Sequence, residues 1–193
     1  MAAPSMTVSH EILSGPPDPA TLAQHKQAAT LHNEGMALER QGKHADAIKL
    51  FKKALEIKLA AMGRTEGTAV TYNALAESQI QLGQLDDALE NVQQALAIVN
   101  QQGSVNNQAY YRETLGLIYE MKGDLEKARS TRTGSPPDRY LCSYFQCPNP
   151  APQPLGQLSQ CSRCKAILYC STPCRNNDWK RHKKYCRETK AEL

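Results

Sequence analysis

Three stretches of this chain are near-copies of one another. Gln41-Gly42-Lys43-His44-Ala45-Asp46-Ala47, Leu82-Gly83-Gln84-Leu85-Asp86-Asp87-Ala88 and Lys122-Gly123-Asp124-Leu125-Glu126-Lys127-Ala128 align without gaps, with their glycines 41 and then 40 residues apart. Self-similarity at such a period restricts the fold to a stack of like units, a solenoid. Each glycine reads as a helix stop, because Gly takes the left-handed C′ conformation cheaply. Small residues recur in register. Gly35, Ala76 and Gly116 precede the glycines by seven positions, Ala47, Ala88 and Ala128 follow by five, and Ala54 and Ala95 follow by twelve. Bulkier Phe51, Val92, Leu75 and Leu115 fill between them. The pattern predicts helix pairs over 22–41 and 44–62, 67–82 and 85–101, and 107–122 and 125–132.

Two departures stand out. Glu34 occupies a slot that is apolar in the other repeats, and Arg132 falls where the first two repeats have Phe51 and Val92. Thr133-Gly134-Ser135-Pro136-Pro137 then breaks the last helix early. No polar capping helix follows, although a solenoid needs cover for its final apolar face. Either the segment beyond supplies that cover or the array is marginal.

The repeat resembles the tetratricopeptide repeat (TPR). Its period is longer than the usual ~34 residues and is similar to the kinesin-light-chain style with longer helices. The resemblance implies a concave face, lined by the first helix of each pair, that binds peptides or partner helices. Carried over by register, that face comprises His32, Met36, Arg40, Asn73, Glu77, Ile80, Glu113, Leu117 and Glu120. The basic clamp by which some TPR proteins hold a C-terminal carboxylate needs Lys and Asn where this chain has His32 and Met36, so that ligand is not expected.

Cysteine divides the chain differently. None occurs before Cys142, and all seven lie between Cys142 and Cys186. Residues 161–193 also hold nine Lys/Arg against three Asp/Glu. Met1 to Pro19 shows neither a basic n-region nor an apolar h-region, so secretion is not expected. In a reducing compartment dense cysteine points to metal rather than disulfides.

The spacing is Cys142-x4-Cys147-x13-Cys161-x2-Cys164-x5-Cys170-x3-Cys174-x7-His182-x3-Cys186. With His182 counted, eight donors fill two tetrahedral zinc sites with none left over. Close pairs suit this chemistry, because two donors from one turn, or from positions i and i+4 of a helix, grip one ion. A nucleophilic cysteine needs one thiol and a base rather than four spaced pairs. Chain order does not choose between sequential and interleaved pairing of the four pairs.

The stretch from Tyr169-Cys170-Ser171 through Asp178-Trp179 to His182-Lys183 and Cys186 resembles the signature of the MYND-type zinc finger. The resemblance covers residues 142–186. It implies interleaving: Cys142, Cys147, Cys170 and Cys174 would hold one Zn2+, and Cys161, Cys164, His182 and Cys186 a second. The HIT-type finger has similar spacing, but Asp178-Trp179 favours MYND. The front departs from the family, with four residues inside the first pair and a proline-rich stretch, Pro148 to Pro154, read as an exposed loop. MYND fingers bind proline-rich peptides in a shallow groove, which here would use Ser162, Arg175 and Trp179. Arg175 stands where a Gln is usual and cannot accept hydrogen bonds, which shifts the expected preference toward acidic flanks.

The chain is thus expected to be mainly α: a TPR-like α-solenoid of helical hairpins followed by a small zinc-stabilised MYND-type finger. The expected divisions are a disordered tail over 1–19, repeats over 20–132, a linker over 133–141, the finger over 142–186 and a polar tail over 187–193. The joint reads as weak, so chelation is expected to melt the finger and spare most of the helical signal. The functional expectation is a non-catalytic adaptor binding protein or peptide partners, in cytoplasm and/or nucleus, with no membrane span. Two alternatives compete with it. The run Lys180-Arg181-His182-Lys183-Lys184 fits a nucleic-acid-associated regulator, but His182 is claimed by metal, aromatic interleaving is absent, and thiolates offset part of the basic charge. A relative or fragment of MYND-containing lysine methyltransferases lacks here the stretch that a SET domain requires.

Overall fold

A computed structural model describes residues 18–102, 104–134 and 138–188. Six helices form the array: α1 (Pro19–Arg40), α2 (His44–Met62), α3 (Glu66–Gln81), α4 (Leu85–Gln102), α5 (Val105–Met121) and α6 (Leu125–Thr133). Each packs mainly on its neighbour in sequence, and α3 also touches α1 and α5, the first helices of the flanking pairs. This nearest-neighbour pattern is that of a solenoid.

The three glycine stops work alike. Gly42, Gly83 and Gly123 have φ of 74°, 73° and 83°, and a Cβ at any of them would meet nothing within 4 Å, so conformation and not space requires glycine. The following residues, Lys43, Gln84 and Asp124, donate back to the carbonyls of Leu38, Gln79 and Tyr119 at 2.9–3.0 Å, the Schellman closure. The small residues ahead of them mark close approaches. A Cβ on Gly35 would lie 2.6 Å from Phe51 Cε1, and one on Gly116 would lie 2.7 Å from Arg132 Cγ. Arg132 therefore fills in the third repeat the place that Phe51 fills in the first.

The first helix of each pair starts on a side-chain cap. Asp18, Thr65 and Ser104 accept backbone N–H bonds at the beginnings of α1, α3 and α5. Asp18 and Pro19, expected at the end of a tail, instead open α1; the rest of that tail, residues 1–17, lies outside the described residues. So do Ser135–Pro137 of the expected helix break and residues 189–193 of the C-terminal tail.

The C-terminal region holds a bridge between Tyr140 and Gln153, a single 3-10 turn, a short antiparallel ribbon of β1 (Ser159–Gln160) and β2 (Leu168–Tyr169), and α7 (Thr172–His182). Tyr140 and Leu141, expected in a linker, are buried, and Tyr140 exchanges two 2.8 Å bonds with Gln153. The joint is extensive. Leu125 and Ala128 of α6 share one apolar cluster with Cys161, Cys164, Ala166, Ile167 and Tyr169, with Tyr119 packed against it. Arg112 Nη2 donates to the Arg139 carbonyl at 2.7 Å, and Tyr110 Oη to the Pro150 carbonyl at 2.9 Å. The finger covers the end of the array, which resolves in favour of cover the choice left open by the short third repeat. Among the described residues no helix is long and apolar enough to cross a membrane.

Candidate metal centres and peptide groove

The eight expected donors gather into two sets of four: Cys142, Cys147, Cys170 and Cys174, and Cys161, Cys164, His182 and Cys186, with the donor atoms of each set within 4.8 Å of one another. The first pair thus meets the third, and the second meets the fourth. β2 ends beside Cys170, and α7 begins with the Ser171 cap, whose hydroxyl accepts from the Cys174 N–H at 3.3 Å. Four residues apart along the chain, Cys170 and Cys174 present sulfurs 3.6 Å apart. His182 and Cys186 come from the other end of α7 and the turn that follows. Cys161 and Cys164 sit in a tight turn in which Lys165 takes φ of 56° and returns its N–H to the Cys161 carbonyl.

The separations test whether zinc fits. A tetrahedral ion with Zn–S of ~2.3 Å and Zn–N of ~2.0–2.1 Å sets sulfurs about 3.8 Å apart and sulfur from nitrogen about 3.6 Å apart. In the first set Cys147 Sγ lies 3.5 Å from Cys170 Sγ and 3.8 Å from Cys174 Sγ. In the second, Cys161 Sγ lies 3.9 Å from Cys186 Sγ, and His182 Nε2 lies 3.4 Å and 3.5 Å from Cys161 and Cys164 Sγ. Disulfide sulfurs would sit at ~2.05 Å. The donor sets fit zinc.

The thiols perturb one another. Burial pushes the Cys161 thiol up, but the N–H groups of Cys164 and Arg163 and the His182 ring outweigh it, leaving its pKa at about 7. Its neighbour Cys164 is pushed up to about 12 by burial and by the negative charge of Cys161. In the other set Cys147 is raised to about 11, burial leading, while Cys170 is lowered by hydrogen bonds from its neighbours despite burial. Thiols this close cannot all ionise unless a cation stands among them.

The second set is the drier: all four of its residues are buried, whereas Cys147 and Cys170 of the first are half-buried. Around the second set lies a network that the sequence pattern does not announce. Glu120 of α5, 0% exposed, receives His182 Nδ1 at 2.8 Å, Arg181 Nη1 at 3.0 Å and Arg132 Nη2 at 3.2 Å. Burial would raise its carboxyl, but the His182 bond and the two arginines hold it at about 2. Arg181 also clasps Asp178 with two 2.8 Å bonds, and Asp178 accepts from Tyr169 Oη at 2.8 Å. The one signal in the sequence is Arg132: a cation in an apolar slot calls for buried counter-charge.

Ser162, Arg175 and Trp179 line a single groove of ≈430 Å3 beside Tyr169 and His182. Trp179 is 44% exposed, and its ring meets the His182 ring edge-on at 5.9 Å. It is not a core residue.

The nine residues assigned to the concave face divide. Glu77, Ile80, Glu113 and Leu117 line a ≈240 Å3 groove whose other wall is the finger, through Leu141, Ser143, Tyr144 and Phe145. Arg40 is exposed. His32 packs on Phe51 at 5.5 Å between ring centres and approaches Thr71 Oγ1 at 3.2 Å, and Met36 packs against the same core. Asn73 is buried and donates to Glu77 at 2.9 Å. Glu120 faces His182 of the second donor set and not open solvent.

A family model described as tetratricopeptide repeat matches residues 26–101 and 67–131, and one described as MYND finger matches residues 142–186.

Proposed function

The chain belongs to the tetratricopeptide repeat family and carries a MYND finger after its repeats, and from that premise we propose that it is a non-catalytic adaptor holding two zinc ions. Cys142, Cys147, Cys170 and Cys174 hold one ion, and Cys161, Cys164, His182 and Cys186 the other. Four protein donors per ion leave no position for a reacting water, so the metal's part is structural. The partners are proteins or peptides, with proline-rich segments the expected ligands of the finger, met in cytoplasm and/or nucleus.

The observation that carries this reading is the groove at Trp179. A single half-exposed Trp beside Ser162 offers a flat apolar wall with a polar edge, the surface on which proline rings stack. Arg175 at the rim favours a peptide with an acidic residue next to its prolines. The nucleic-acid alternative is weakened by the basic run itself: Arg181 is tied to Asp178 and Glu120, and His182 faces the thiols.

Calorimetric titration of the zinc-loaded chain with a Pro-x-Leu-x-Pro peptide, with and without a flanking Asp, tests this reading. Trp179→Ala should weaken binding at least tenfold while leaving the helical circular dichroism unchanged. Equal affinity for wild type and variant, or no binding by either, would remove the finger groove from the proposal.

A further inference from the structure

His182 has two ring nitrogens with different tasks. Nε2 faces the thiols, 3.4 Å from Cys161 Sγ and 3.5 Å from Cys164 Sγ. Nδ1 faces away from them, 2.8 Å from Glu120 Oε1. Glu120 belongs to another module: it is on α5, 62 residues earlier in the chain. Its two oxygens are fixed, Oε1 also by Arg181 Nη1 and Oε2 by Arg132 Nη2. A neutral imidazole that ligates through Nε2 keeps its proton on Nδ1, and here the carboxylate receives that proton's hydrogen bond.

We propose that Glu120 is a positioning residue for the second metal site, so that the helical array completes the metal site of the finger and docking and metal affinity form one equilibrium. The inference rests on the zinc reading above. A buried carboxylate behind a ligating histidine fixes tautomer and ring angle and makes the ligand more basic, and loss of such a partner typically costs about 10–100-fold in metal affinity. Reciprocity follows from linkage: the factor by which docking of the array tightens the metal at this site is the factor by which the metal tightens the docking. The effect is confined to one site. Among the described residues, the sulfurs of Cys142, Cys147, Cys170 and Cys174 bond among themselves and to finger residues. The arginines serve the same end, since they hold the carboxylate ionised and aimed in a fully buried place.

The test uses the full chain loaded with cadmium-113, whose two NMR resonances report the all-sulfur and the three-sulfur, one-nitrogen sites separately, together with competition against a chromophoric chelator. Glu120→Gln keeps the shape and one acceptor oxygen, and Glu120→Asp keeps the charge but draws it back from the ring. Both should shift the mixed-donor resonance and weaken that site roughly 10–100-fold, with the all-sulfur resonance unmoved. Glu113→Gln is the control: it disturbs Arg132 and Ser143 but has no bond to His182, and it should leave the mixed-donor resonance in place. Equal losses in Glu113→Gln and the Glu120 variants would reduce Glu120 to a general interface residue and overturn the proposal. Should the Glu120 variants fail to fold, nitrogen-15 NMR of the wild-type His182 ring decides: a protected Nδ1 proton upholds the proposal, and an Nε2–H tautomer overturns it. A wild-type chain with no mixed-donor resonance overturns the zinc reading itself, a result distinct from intact binding that ignores Glu120.

Discussion

Arg132 allows two lines of reasoning to be set against each other. By repeat register it occupies the slot of Phe51 and Val92, so an apolar substitution such as Arg132→Met would be expected to stabilise the array. The structure points the opposite way. The side chain is 1% exposed. Its Nε meets Glu113 at 2.9–3.0 Å, Nη1 the Ala166 carbonyl at 3.1 Å and Nη2 Glu120 at 3.2 Å. In Arg132→Met the Ala166 carbonyl loses its donor and Glu113 its cation, although burial already lifts the Glu113 carboxyl above its ordinary range. Breaking a buried pair from one side costs about 3–5 kcal/mol. Glu120 retains Arg181 and His182, which holds the loss near the middle of that range, about 4 kcal/mol, against a total stability of roughly 5–15 kcal/mol. Urea unfolding at fixed free zinc measures it, and the melting temperature should fall by about 2–4 °C for each kcal/mol lost. Adding Glu113→Gln to Arg132→Met removes the stranded charge and should restore part of the loss. If Arg132→Met matches or exceeds wild-type stability, the guanidinium is only a filler and the network around it carries no energy.

Gly35→Ala places a methyl 2.6 Å from Phe51 Cε1, so overpacking should cost about 1–3 kcal/mol; an unchanged urea midpoint would show that Phe51 moves freely. Chelation should lower the melting temperature of the array as well as the finger, because Leu125 and Ala128 lose their cover; identical array melting with and without chelator would restore the picture of independent modules. His32 sets a pH window. Burial, with Lys58 nearby, holds its ring at about 4 against an ordinary 6.5, so the folded state resists a proton that the unfolded state accepts. Its contribution is intact above pH 6.5 and is lost as pH falls toward 4. His32→Gln should gain on wild type by roughly 1–2 kcal/mol across that window once partial exposure is allowed for; a stability difference that does not vary with pH refutes it.

The helices are legible in the sequence because their stops are chemical. A glycine with φ near 74° followed by a Schellman bond leaves a fixed mark, and three such marks in register define the array. The start of α1 is less legible. Pro16, Pro17 and Pro19 suggest a tail, whereas Asp18-Pro19 is an N-cap followed by proline at the first helical position, where its missing N–H costs nothing. The eight donors are legible because few residue types bind zinc. Their grouping is not readable from spacing, since it depends on how β2 and α7 fold back on the Cys161–Cys164 turn. The concave-face assignment carries four residues to a shared groove but misplaces Glu120. Register tells which face of α5 a residue occupies, and only the docked finger tells whether that face is open.

The same dependence explains why the third repeat departs from the first two. A valine or phenylalanine at position 132 would pack on Gly116 as Phe51 packs on Gly35, but the next layer is not another helix pair. It is the edge of a finger with a carbonyl at Ala166 that needs a donor and a histidine, one of the proposed metal donors, whose Nδ1 faces a carboxylate. An array ending in apolar side chains could cover neither. Glu120 meets the histidine, a buried carboxylate requires cations, and Arg132 supplies one while its stem fills the apolar slot and its second amino group meets Ala166. Arg181 supplies the other from the finger's side. The residue that breaks the repeat is therefore the one that braces the carboxylate facing His182, and changing Glu120, Arg132 or Arg181 should disturb array and finger together.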